Sequence, residues 1–388
     1  MTTYARLAVS FERGDGAWLI DGQGRRYLDA LCGIGVTSLG HAHPAVAEAV
    51  CQQARTLIHS SNLYGITLQQ QLANRLTALA GMERAFFCNS GAEAVEAGIK
   101  LARLHGHTQG YTLPTIIVAE HSFHGRTLAT LSATGNRKVQ AGFEPLVQGF
   151  LRVPYNDMAA IETVARNTSE VVAVLVEPVQ GEGGINIPDN DYLPRLRALC
   201  DSKGWLLMLD EIQTGLCRTG RWFAHQHAGI TPDVMLLAKA LGNGVPIGAC
   251  LAAGPAAAVF HPGNHGSTFG GNPLACRAAL AVLDTMEQQQ LAARATALGH
   301  QLRRGLRDRL AGHPAVREVR GLGLMIGIEL TIACGDLTRR ALQHGILCSL
   351  QAERVIRLLP PLTLSDDEAQ LIIERIAALI DDCAAQPA

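Results

Sequence analysis

From about residue 70 to residue 285, short apolar runs alternate with longer stretches in which apolar residues return every three or four positions. That alternation predicts a parallel sheet covered by helices. The expected strands are 115–119, 171–177, 205–210, 234–238 and 247–252; each is short and rich in leucine or β-branched residues, as strands buried on both faces are. Ala92, Val95, Ile99 and Ala102 recur at helical spacing directly after Asn89-Ser90-Gly91, so a helix is expected to begin at that turn.

Beyond residue 300 the pattern changes. Segments 316–320, 324–329, 346–348 and 355–359 suggest a small mixed sheet and a second domain. Leu371, Ile372, Ile376, Leu379 and Ile380 then form one stripe behind a Ser365/Glu368 capping box, which predicts a last helix over about 366–381. No internal repeat appears, and no linker is long enough to free one part from another.

Composition narrows the function classes. The 388 residues are 48% hydrophobic, ample for a large core, and carry a net charge of -1 from 33 basic and 34 acidic side chains spread along the chain. Neither nucleic acid nor a membrane surface is favoured as a partner. The first residues lack the apolar core of a secretory signal and no later apolar run approaches bilayer-spanning length, so a cytoplasmic protein is expected. The ten cysteines show no two-residue spacing of a redox or zinc motif and are read as reduced, packed thiols. His41/His43, His105/His107 and His225/His227 sit two apart, but without a third ligand at sensible spacing they are read as turn and cap residues, and no metal is expected.

Three features carry candidate chemistry. Asn89-Ser90-Gly91-Ala92-Glu93 opens a helix and could offer backbone N–H groups to a phosphate, although small residues also open helices simply as caps. The strand at 205–210 ends in Asp210-Glu211, at the kind of strand terminus where ligands of open α/β sheets bind. Lys239 ends the apolar run 234–238; one strand-helix-strand crossover fits between the two charges, which could also be a structural ion pair. A buried lysine is the usual nucleophile toward carbonyls, and an aspartate that keeps a pyridine nitrogen protonated makes pyridoxal phosphate an electron sink. The trio matches that cofactor's three handles.

Longer motifs lie in order around these residues: Gly40-His41-Ala42-His43-Pro44, Ser122-Phe123-His124-Gly125-Arg126-Thr127, Val176-Glu177-Pro178-Val179-Gln180-Gly181-Glu182-Gly183-Gly184, Leu209-Asp210-Glu211-Ile212-Gln213-Thr214-Gly215, His265-Gly266-Ser267-Thr268-Phe269-Gly270-Gly271-Asn272-Pro273 and Arg357-Leu358-Leu359-Pro360-Pro361. On them, across nearly the whole chain, the sequence resembles the fold-type I, subgroup-III (omega) aminotransferases, and within these the members acting on N2-acetylornithine. The resemblance implies an α/β fold: a large cofactor-binding domain at 63–285 with a mostly parallel seven-stranded sheet between helices, a smaller α+β domain at 286–388, and an N-terminal segment, 1–62, joining the smaller domain.

It also implies a reaction and a set of roles. The terminal amino group of N2-acetylornithine would pass to 2-oxoglutarate, giving N-acetylglutamate 5-semialdehyde and glutamate as in arginine biosynthesis, by a ping-pong route through a Lys239 Schiff base and pyridoxamine phosphate. Asp210 would hold the pyridinium nitrogen, Gln213 the phenolic oxygen and Phe123 the ring face. Ser90, Gly91 and Ala92 would bind the phosphate together with Thr268, contributed by the other subunit of a homodimer. Arg126 would clamp a substrate carboxylate, Ser267 would line the substrate side, and Glu182 with Arg357 would gate the site between two substrates of different length. The competing readings are another omega-aminotransferase, for succinylornithine, ornithine, 4-aminobutyrate or an acyl-lysine, and a non-catalytic binding protein on the same fold. Val95 and Asn243 depart from the asparagine and glycine expected there, which predicts altered shape near the phosphate helix and the lysine loop. Ile34, where ornithine enzymes resemble one another in having tyrosine, points away from free ornithine.

Overall fold

The computed structural model describes residues 1–385; the last three positions of the 286–388 segment lie outside the described residues. The chain opens with an antiparallel meander of β1 (Phe11–Asp15), β2 (Trp18–Asp21) and β3 (Arg26–Asp29). A seven-stranded sheet follows, made of β4 (Arg84–Cys88), β5 (Thr115–Ala119), β6 (Phe150–Val153), β7 (Val171–Val176), β8 (Leu206–Asp210), β9 (Val234–Leu237) and β10 (Gly248–Ala252). Their order is β4-β10-β9-β8-β7-β5-β6. The ladder from β6 to β9 is parallel, whereas β10 runs antiparallel to both β9 and β4.

All five strands expected from apolar runs are present, within a residue at each end. They are buried throughout because both faces are covered. Successive strand side chains point to opposite faces, so Ile116, Leu175, Met208 and Leu236 pack with the helix Gly91–Thr108. Ile117, Val174, Leu207 and Leu209 pack on the other side with the helices Met158–Asn167 and Tyr192–Lys203. The expected crossover helix between β8 and β9 is not formed: that link contains only a 3₁₀ turn, Ala224–His227, fastened by the buried Glu211 carboxylate, which accepts from the N–H groups of Ala224 (2.7 Å) and His225 (2.9 Å).

The remaining strands are β11 (Val316–Leu322), β12 (Met325–Leu330), β13 (Ile346–Leu347), β14 (Ser349–Gln351) and β15 (Val355–Leu358). The expected mixed sheet is instead wholly antiparallel, in the order β11-β12-β15-β14. The segment at 346–348 does not belong to it. Gly345, at φ +65°, turns the chain so that β13 pairs in parallel with β3, with Leu28 N–H donating to Gly345 C=O at 2.8 Å.

The last helix, Asp366–Ala385, begins behind the expected capping box: Ser365 Oγ accepts from Glu368 N–H at 3.2 Å and Glu368 Oε2 from Ser365 N–H at 3.0 Å. Its buried Ile372, Ile376, Leu379 and Ile380 pack in one cluster with Leu298, Leu302 and Leu306 of the helix Leu291–Arg309. One reading of the cysteines is corrected here. Cys334 and Cys383 form a disulfide, their Cα atoms 6.2 Å apart across 49 residues of sequence. Only the docking of the last helix brings them together, so no local spacing announces the pair. The other eight cysteines are free, seven of them buried.

Candidate active site

Asp210 ends β8, and Lys239 follows β9 by two residues. Because these strands are parallel neighbours with Asp210 opposite Leu236, both charges leave the sheet at the same edge, where a cavity of about 380 Å³ opens. Its volume falls within the roughly 300–1,000 Å³ of small-molecule sites. Asn89, Ser90, Gly91, Ala92, Phe123, Arg126, Glu182 and Gln213 also line it.

Asp210 is 5% exposed, and both its oxygens are engaged: Oδ1 accepts from Ile212 N–H at 3.1 Å, and Oδ2 lies 2.8 Å from His124 Nδ1. A carboxylate can only accept, so Nδ1 donates to it. The other ring nitrogen, Nε2, is buried without a partner. His124 is therefore a brace for the aspartate.

Lys239 sits at φ +46°, a left-handed conformation that costs a non-glycine residue about 1–2 kcal/mol, and among the described residues its ammonium makes neither ion pair nor hydrogen bond. Strained residues of this kind collect at functional sites. Burial lowers its pKa and the nearby Arg357 charge lowers it further, against opposing pulls from Glu182, Asp210 and Glu177. A lysine free of a carboxylate partner, with its neutral form favoured, is a ready nucleophile.

The helix Gly91–Thr108 presents its N-terminus to the cavity. Ser90 Oγ accepts from Glu93 N–H at 3.2 Å, while the Glu93 carboxylate takes Asn89 N–H at 2.8 Å and Asn89 Nδ2 at 3.0 Å. The cap and the N–H groups facing the cavity share one turn. Gly91 is fixed by packing as well, because a Cβ there would meet Ile212 Cδ1 at 2.9 Å. Both departures from the family pattern are built in: Val95 is fully buried, and the Asn243 amide accepts from Leu39 N–H (2.8 Å) and donates to Gly40 C=O (3.1 Å), tying the lysine loop to the N-terminal segment.

Glu177, not singled out from sequence, follows β7 and lines the same cavity. Its carboxylate accepts from Phe123 N–H at 2.9 Å and Gly181 N–H at 3.1 Å, fixing the aromatic residue on one side and the Gly181–Glu182 turn on the other. Burial pushes its pKa up to about 7; the His124 ring and the two N–H donors oppose this, and the Asp210 charge adds to it. The signal that exposed Asp210, a charge closing an apolar strand, applies equally to Glu177. His124 had no such signal of its own.

Behind the lining residues Glu182 and Gln213, Arg357, on β15, is completely buried. Its Nη1 lies 2.6 Å from Glu182 Oε1 and 3.4 Å from Gln213 Oε1, and Nε donates to Ser349 Oγ at 3.1 Å. Arg126 stands at the cavity wall, exposed, its guanidinium 5.6 Å from the Phe123 ring centre and free of any ion pair among the described residues. Of the twelve residues singled out from sequence, nine line this cavity; Arg357 stands behind Glu182 and Gln213, and Ser267 and Thr268 lie outside it. Ser267 Oγ braces the neighbouring loop, near Asn89 Nδ2 at 3.2 Å, and Thr268 is exposed. No cluster of three or more histidine, cysteine or acidic side chains able to hold a metal occurs among the described residues.

Comparison with known proteins agrees with this geometry. Residues 2–380 match the family model described as aminotransferase class-III. The chain is 59% identical, over 98% of its length and 97% of the relative's, to an acetylornithine aminotransferase of Nitrosomonas europaea. Among solved structures it resembles an ornithine aminotransferase of Toxoplasma gondii with PLP at partial occupancy in its active site (TM-score 0.95, 37% identity, 99% and 92% of the two chains). It also resembles the N-acetylornithine aminotransferase of Stenotrophomonas maltophilia (TM-score 0.86, 36% identity, 98% of each chain). With an unpaired lysine, a braced aspartate and a helix N-terminus around one cavity, the chain belongs to the class-III aminotransferases, and its cofactor is pyridoxal phosphate.

Proposed function

We propose that the chain transfers the terminal amino group of N2-acetylornithine to 2-oxoglutarate, yielding N-acetylglutamate 5-semialdehyde and glutamate. The observation that carries this reading is the contrast between two arginines in one site. Arg126 is unpaired at the cavity wall, whereas Arg357 is buried and screened by Glu182. One arginine suffices for a substrate with a single carboxylate beside a neutral amide, and a second, uncovered on demand, suits glutamate. The full-length relatives named for acetylornithine support the same choice.

The residues fit pyridoxal phosphate. Asp210, held by His124, would take the ring nitrogen, Gln213 the phenolic oxygen, Phe123 the ring face, and the N–H groups of Ser90, Gly91 and Ala92 the phosphate. When bound, the cofactor supplies an electron sink for the bond that breaks at the amine-bearing carbon. Lys239 Nζ then removes the proton from that carbon and later returns one. His124 keeps Asp210 aimed. Glu177 holds Phe123 N–H and so fixes the aromatic plane, while Arg126 sets the distance of the amine from Lys239 by gripping the substrate carboxylate remote from the reacting carbon.

The active unit in this reading is a homodimer, with Thr268 of each subunit completing the phosphate site of the other and Ser267 lining the substrate side. Support comes from the surface around that loop. Asn62 Nδ2 donates to Ser267 C=O and Gly270 C=O, both at 3.0 Å, and the adjoining Leu57, Ile58, Leu63, Tyr64 and Phe269 are all exposed. Such an apolar patch is typical of an interface. We further divide the chain into a large domain at 63–285 and a small one at 286–388 joined by 1–62, on the strength of the β3–β13 pairing. A cytoplasmic location is in keeping with the absence, among the described residues, of any helix long and apolar enough to cross a membrane.

An amine-donor panel with 2-oxoglutarate as acceptor tests the substrate. N2-acetylornithine should give the highest kcat/KM; a clear preference for succinylornithine, ornithine, 4-aminobutyrate or an acyl-lysine would replace it.

A further inference from the structure

Glu182 and Arg357 are not alone. Gln351, on β14, reaches both of them: with its NH₂ toward Glu182 and its carbonyl toward Arg357, it donates to Glu182 Oε2 at 3.0 Å and accepts from Arg357 Nη2 at 2.9 Å. The reverse orientation would set oxygen against carboxylate and NH₂ against guanidinium, so the two charges fix the amide. Arg357 then has a partner at each nitrogen: Ser349 Oγ at Nε, Glu182 at Nη1 and Gln351 at Nη2. Glu182 likewise divides its two oxygens between Arg357 and Gln351.

Exposure decides which member of this triangle moves. Arg357 has no exposed side-chain surface, whereas Glu182 has 31%. Gln351 and Arg357 are locked in one sheet, through the pairings Ser349↔Arg357 and Gln351↔Val355. The loop carrying Glu182 is pinned just beyond it, because Arg320 donates to Gly184 C=O at 2.7 Å and to Ile185 C=O at 2.9 Å. Opening is therefore a swing of the Glu182 side chain away from a fixed arginine.

We propose that Gln351 determines specificity as the latch of this gate: its amide holds Glu182 on Arg357 and so sets the balance between a substrate with one carboxylate and a substrate with two. The proposal rests on the Glu182–Arg357 reading above. A neutral amide suits the task because it adds a bond to Glu182 without cancelling the charge of Arg357 or repelling an arriving carboxylate. An apolar side chain of equal length would release Glu182 more readily. A carboxylate at the same position would sit on Arg357 Nη2, keep that charge covered after Glu182 leaves, and repel the second carboxylate of the substrate.

Opposite signs follow, which a merely structural role does not produce. Single-turnover half-reactions of the holoenzyme with glutamate and with N2-acetylornithine give the ratio of their rate constants. Gln351→Met should raise the glutamate-to-acetylornithine ratio about threefold to tenfold, the effect of one hydrogen bond to a charged group in a partly open site. It should add nothing when Glu182 is already alanine. Gln351→Glu should lower the ratio by a similar factor. If Glu182→Ala raises the ratio but both Gln351 variants stay within twofold of wild type, or shift it in the same direction, the latch is refuted and the gate stands. If Glu182→Ala itself leaves the ratio unchanged, the gate fails and the latch falls with it.

Discussion

His124 braces Asp210 through a buried 2.8 Å hydrogen bond, and the imidazole's other nitrogen meets nothing. The pair is therefore one unit, in which His124 aims the Asp210 carboxyl group. Asp210→Asn should keep the cofactor, seen in the absorption of the purified protein, but lose roughly 10²–10³-fold in kcat, the scale of removing one preorganised electrostatic contact. His124→Phe leaves the carboxyl group and removes the brace, so about tenfold is expected, as for one strong hydrogen bond. A near-normal rate in Asp210→Asn would make Asp210 structural.

Glu177 gives a prediction in pH. Its folded pKa, near 7, lies above the unfolded value of about 4.3, so the folded state favours the protonated acid. The unfolded chain gains by ionising first; stability from this group is intact below about pH 4, falls as pH rises toward 7, and levels off above that. The loss is on the order of 4 kcal/mol at one unit per 1.36 kcal/mol. Glu177→Gln cannot ionise and should escape it. Thermal unfolding of the cofactor-free protein at pH 5 and pH 8 should show the variant gaining on wild type at the higher pH. A constant difference would contradict the raised pKa.

The proposed sharing of sites makes a complementation experiment decisive for assembly. Lys239→Ala subunits and Thr268→Ala subunits should each be poorly active alone, the first inactive. Mixed and exchanged, they should form heterodimers in which one of the two sites has both its own lysine and its partner's threonine. Recovered activity supports the homodimer; efficient turnover by a demonstrated monomer would refute it.

How legible was this in the sequence? The interior strands were, because burial on both faces forces continuous apolar runs such as Val171–Val176. The sheet-edge strands β4 and β6 were not: β4 leaves only a four-residue apolar run behind the exposed Arg84, and the exposed Arg152 breaks the run in β6. The antiparallel entry of β10 was hidden for another reason, since apolar pattern carries no direction. In the site, Asp210 and Lys239 stood out as charges closing apolar strands, and the longer motifs supplied Phe123, Arg126, Glu182 and Arg357. His124, Glu177 and Gln351 act through contacts across 86, 54 and, for Gln351 with Glu182, 169 residues of chain, which no local pattern reports. The same holds for the Cys334–Cys383 pairing.

The central claim is that one cavity serves two amino donors because Glu182 covers Arg357 for one and leaves it for the other. Acetylornithine brings one carboxylate and glutamate two, so an uncovered Arg357 favours glutamate and, with acetylornithine bound, remains buried without a counter-charge. Transient kinetics of the two half-reactions in Glu182→Ala and Arg357→Ala measures this directly. Glu182→Ala should shift the rate-constant ratio toward glutamate by roughly tenfold or more, equivalent to about 1.4 kcal/mol of discrimination. Arg357→Ala should shift it the other way, by damaging the glutamate half-reaction more. An unchanged ratio in both variants would contradict the account and leave Glu182 and Arg357 as structural charges.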